Sequence, residues 1–63
     1  MKEEIKTILD QYYNNQLPNV TDLQILDESP ASGIFCIRWR ANNTTITIKS
    51  IKEADSYIIT QLQ

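Results

Sequence analysis

The sequence predicts an α+β fold, a two-layer sandwich in which a three-stranded antiparallel meander carries two helices on one face, in the order α-β-β-β-α. Three observations lead there. Apolar residues recur at helical spacing near the start of the chain, alternate strictly in the middle, and follow a capping-box pattern near the end. With 63 residues the chain makes a single domain, residues 1–63, of a size that buries only about 60% of its unfolded surface.

Over residues 2–14, Ile5, Ile8, Leu9 and Tyr12 fall on one helical face. Glu3 and Glu4 sit in the first turn, where the helix dipole favours negative charge. Asn14 and Asn15 supply a left-handed residue to end the helix. Tyr13 is placed beside the stripe, covering the edge of the core, and Leu17 is expected to tuck back beneath the helix.

Residues 20–27 read as a first strand with Leu23 and Ile25 on the core face. Residues 27–33, DESPASG, are a turn closed by the only glycine. A register with Ile25 opposite Phe35 places Gln24 opposite Cys36, Asp22 opposite Arg38 and Leu26 opposite Ile34.

Residues 34–50, IFCIRWRANNTTITIKS, form a hairpin. Asparagine tolerates positive φ, so Asn42 and Asn43 serve as the central pair of a type I′ turn. That choice sets Ala41 against Thr44, Trp39 against Ile46, Ile37 against Ile48 and Phe35 against Ser50, all on one face. Cys36, Arg38 and Arg40 then oppose Lys49, Thr47 and Thr45 on the other.

Ser50-Ile51-Lys52-Glu53 matches a capping box, from which a second helix is expected. Its stripe would be Ile51, Ala54, Ile58 and Leu62, flanked by Tyr57 and Ile59. This arc is broader than one sheet face needs. Ile59 is expected to pack against the first helix, the alternative being a dimer contact for which Tyr57 and Ile59 are the candidate interface.

The order α-β-β-β-α resembles the double-stranded RNA-binding domain and the small toxin ribonucleases that share its fold. Where the RNA-binding family opens its last helix with lysines, this chain reads Ser50-Ile51-Lys52-Glu53-Ala54-Asp55, and the histidine of the toxins is absent. The likeness therefore concerns the fold, which carries no function by itself.

Composition narrows the chemistry. Hydrophobic content of 41% with 22% charged residues describes an ordinary globular chain. One cysteine excludes a disulfide within the chain, and the lack of histidine removes the commonest general base and any plausible zinc set. No cofactor, metal, small-molecule substrate or catalytic residue is therefore expected. Cys36 has cationic neighbours, which favour a thiolate, but no base or orienting partner. No apolar run reaches the 18 or so residues that a bilayer demands, and MKEEIKTILDQYY lacks the apolar core of a signal peptide, so a cytoplasmic location is expected.

The net charge is −2, yet residues 34–50 hold Arg38, Arg40 and Lys49 with no acid. Together with Thr45 and Thr47 these form the candidate binding face. An acidic protein patch or nucleic acid would suit it. Nucleic acid is disfavoured by the acidic balance and by alternation, which sends Phe35 and Trp39 inward. The expected function is a non-catalytic protein-interaction or accessory protein, with a homodimer as one option and a nucleic-acid-binding module as the alternative.

Overall fold

In the computed structural model, which describes residues 2–62, one helix packs on one face of a four-stranded antiparallel sheet. The elements are α1 (Glu3–Tyr12), β1 (Thr21–Ser29), a short 3-10 turn (Pro30–Ser32), β2 (Ile34–Ala41), β3 (Thr44–Glu53) and β4 (Ser56–Gln61). The strands lie in chain order, β1-β2-β3-β4.

The first helix follows the expected stripe. Ile5, Ile8 and Leu9 are fully buried, and the chain leaves α1 through Asn14 and Asn15, whose φ angles are 52° and 61°. Across the sheet they meet Phe35, Ile37, Trp39 and Ala41 of β2, Ile48 of β3 and Tyr57 of β4. Tyr13 covers the core edge, as its place beside the stripe implies, and its hydroxyl accepts a 3.0 Å hydrogen bond from the Trp39 indole N–H. Tyr12 stands edge-on to the same indole, with ring centres 5.4 Å apart. Burial raises the Tyr12 phenol above its ordinary pKa, and the charge of Tyr13 adds to the effect. Leu17 does not anchor the loop; it is exposed.

The central hairpin forms in the expected register throughout, from Phe35–Ser50 to Ala41–Thr44. Asn42 and Asn43 take φ of 53° and 62°, the signature of a type I′ turn. The first strand differs. It runs on to Ser29, and its ladder pairs Gln24 with Arg38, Ile25 with Ile37 and Asp27 with Cys36. Irregularities between Thr21 and Gln24 and between Ile25 and Asp27 shift the register, so the expected Ile25–Phe35 and Asp22–Arg38 pairs do not form. A bulge adds a residue to one strand only. No alternation rule carries a register across it.

The expected second helix is absent, and the order is α-β-β-β-β. β3 continues through the capping-box residues to Glu53, turns at Ala54 and Asp55, and returns as β4. Ser50 does not cap a helix. It is fully buried, and its hydroxyl donates 3.2 Å to the Phe35 carbonyl. Two forces favour the strand. Ile51, Ile58, Ile59 and Thr60 are β-branched, and a returning strand satisfies the backbone groups along the second edge of β3, which a helix would leave open. With the helix gone, the likeness to the RNA-binding fold lapses.

Ala54 is the one residue of this turn at positive φ, 56°. A side chain there costs about 1–2 kcal/mol, so Ala54→Gly is expected to stabilise the fold by about 1 kcal/mol, net of the entropy glycine loses on folding. A urea midpoint that stays put or falls would refute this.

Gln11 ties the helix to β4. Its side-chain amide donates to the Tyr57 carbonyl while its oxygen accepts the Tyr57 N–H at 2.8 Å. Two exposed ion pairs, Lys2–Glu28 at 2.7 Å and Lys6–Asp10 at 2.9 Å, lie on the helix side and contribute little.

Candidate binding face

Alternation along β2 and β3 turns every second side chain away from α1. The central turn fixes which ones they are. Arg38 and Arg40 of β2 and Thr45, Thr47 and Lys49 of β3 therefore share the open face, as the sequence implies.

Arg38 lies across from Thr47 and donates from Nε to its Oγ1 at 3.3 Å, helping to bury that threonine. Arg40 lies across from Thr45 and donates from a terminal nitrogen to its Oγ1, also at 3.3 Å. Both acceptors are neutral. Lys49 is flanked in the ladder by Cys36 and Thr60. Among the described residues neither arginine nor Lys49 forms an ion pair, whereas Lys2 and Lys6 both do.

The irregular β1 adds what sequence reasoning missed. Its displaced residues Asp22, Leu23 and Gln24 stand beside Arg38, Arg40, Thr45 and Thr47 and enclose with them a concavity of about 670 Å³. Asp22, at φ 54°, belongs to the irregular segment. The signal for it was weak, because positive φ is uncommon outside glycine even though aspartate is enriched there.

Trp39 also borders the concavity, but its ring, like that of Phe35, is buried among the helix residues, so no aromatic ring of β2 is exposed there. Tyr57 and Ile59 lie elsewhere. Both project from β4 towards α1, Tyr57 buried and Ile59 half-buried, so they form part of the core and not an outward flank. Ile51 and Ile58, expected in a buried helical stripe, instead face outward at 39% and 53% exposure. Cys36 is half-buried on the open face beside Lys49.

Among the described residues no helix is long and apolar enough to cross a membrane. Compared with known protein families, curated proteins and solved structures, the chain matches none of them.

Proposed function

We propose that this chain is a non-catalytic binding module whose open sheet face receives an acidic segment of a protein partner. The observation that carries this is the state of Arg38 and Arg40: two guanidinium groups beside a concavity, each held by a neutral threonine hydroxyl. Threonine orients a guanidinium without neutralising it. A carboxylate arriving from a partner gains charge-assisted hydrogen bonds that are shorter and stronger than neutral ones.

Asp22 in the wall of the concavity favours a polypeptide over a phosphate backbone. A uniform polyanion is repelled by it, whereas a mixed segment can offer it a lysine or a backbone N–H. The overall charge of −2 works in the same direction. A single thiol, Cys36, agrees with a reducing, cytoplasmic setting.

Titration of ¹⁵N-labelled protein with a glutamate-rich peptide at low salt tests the reading. Amide shifts are expected at Arg38, Arg40, Thr45, Thr47 and Lys49, fading as salt screens the contact. Arg38→Gln and Arg40→Gln should each weaken binding about tenfold. Shifts produced by short RNA or DNA duplexes but not by the peptide would replace the reading with a nucleic-acid one. Silence with all three ligands would end it.

A further inference from the structure

With residues 56–61 forming a strand, two isoleucines that a helix would have hidden face outward. Ile34, Ile51 and Ile58 are successive cross-strand partners on β2, β3 and β4. They lie on the face opposite α1, with Ile51 and Ile58 exposed and Ile34 half-buried. Single exposed apolar residues are ordinary, but three in register make a continuous row. The row crosses the sheet at the end away from Arg38 and Arg40.

The charges beside the row select what covers it. On β3, Lys49 precedes Ile51 by two residues and Glu53 follows it by two, so all three share one face. Lys49 and Glu53 are exposed, and among the described residues neither has an ion-pair partner.

We infer that the row is the contact between two copies of this chain, stacked sheet face to sheet face about a two-fold axis running along Ile34, Ile51 and Ile58. Rotation about that axis reverses strand direction while leaving each strand over its own counterpart. Ile51 then meets Ile51 of the second copy. Lys49 meets Glu53 of the second copy, and the symmetry makes that contact twice. On β4, Thr60 meets Ser56 in the same way.

The other in-plane axis, parallel to the strands through Ile51, would lay β2 over β4 and set Lys49 on Lys49 and Glu53 on Glu53. Like charges brought together across an interface oppose that arrangement. In the chosen one the two arginines project past the end of the opposing sheet and stay open. The concavity beside Arg38 and Arg40 therefore stays accessible in the dimer, and Lys49 is the residue that the two contacts share.

The overlap is small. Four strands about 4.8 Å apart, overlapping for about five residues, cover roughly 300 Å² per copy, against about 800 Å² in a standard interface. The equilibrium should accordingly be weak, with a dissociation constant on the order of 100 μM.

Sedimentation equilibrium from about 10 μM to about 1 mM brackets that value. The wild-type chain is expected to pass from monomer to dimer over this range. Ile51→Thr, which keeps the β-branch and hence the strand, should weaken association about tenfold. Lys49→Glu and Glu53→Lys should each weaken self-association by about as much, yet associate with each other when mixed, because each then presents the charge that the other requires. Far-ultraviolet circular dichroism and Trp39 fluorescence establish that the variants are folded. A strictly monomeric wild-type chain overturns the inference. So does a dimer indifferent to Ile51→Thr, or a mixture of the two charge variants that associates no better than either alone.

Discussion

Trp39→Ala is expected to remove most of the chain's folding stability. Trp39 is fully buried at the centre of β2, beneath α1, and contacts both Tyr12 and Tyr13. Removing a buried tryptophan side chain costs about 3–5 kcal/mol in transfer and cavity terms. A domain of this length has only about 3–9 kcal/mol in total. Trp39→Phe separates the contributions, since it keeps most of the apolar body and loses the indole N–H. Tyr13 is only half-buried, so water can replace that donor, and a loss of about 1–2 kcal/mol is expected. Because Trp39 is the only tryptophan, circular dichroism must report the transition. A Trp39→Ala protein that melts within a few degrees of the parent would contradict the assignment of the core.

Gly33→Ala should be nearly as damaging, by about 2–3 kcal/mol. Gly33 closes the 3-10 turn at φ 70°, donating to the Pro30 carbonyl at 3.1 Å and accepting from the Lys52 N–H at 2.9 Å. An added methyl would meet the Lys52 Cβ at 2.7 Å. That atom belongs to the root of its side chain, so swinging the lysine head aside brings no relief. The conformational and steric penalties act together, in contrast to Ala54, where the same φ region carries a methyl with room to be removed. Urea unfolding of the two variants should shift in opposite directions; a tolerated Gly33→Ala would show that the turn has freedom to readjust.

The two hairpins mark the boundary of what the residues alone disclose. At Asn42 and Asn43 the turn chemistry and the alternation of Ile37, Trp39, Ile46 and Ile48 agree, so register and facing residues follow directly. The basic face was legible for that reason. At residues 50–53 two local rules compete. Ser50 and Glu53 satisfy a capping box, and Ile51, Ala54, Ile58 and Leu62 satisfy helical spacing, while Tyr57 and Ile59 satisfy alternation. Tertiary pairing decides in favour of the strand, because the far edge of β3 needs a partner. The β-branched run 58–60 was the available hint. Loss of the second helix moved Tyr57 and Ile59 into the core and brought Ile51 and Ile58 to the surface. On β1 the obstacle was different: two irregularities break the alternation, and the residues that wall the concavity are the ones they displace.

The Gln11 amide has a bearing on how the sheet ends. An open sheet has two rims on which foreign strands can grow, the first step towards cross-β aggregation. β1 discourages this with its kinks and with Asp22, Asp27 and Glu28. β4, with the sequence SYIITQ, carries no charge and no proline. Its protection comes from the helix. Two-residue closure at Glu53 and Ser56 directs the Tyr57 N–H and carbonyl away from β3, and there the Gln11 side chain occupies both. One glutamine thus imitates one residue of a fifth strand. A strand seeking to template along that rim must first evict it, and with it the grip of α1 on the sheet.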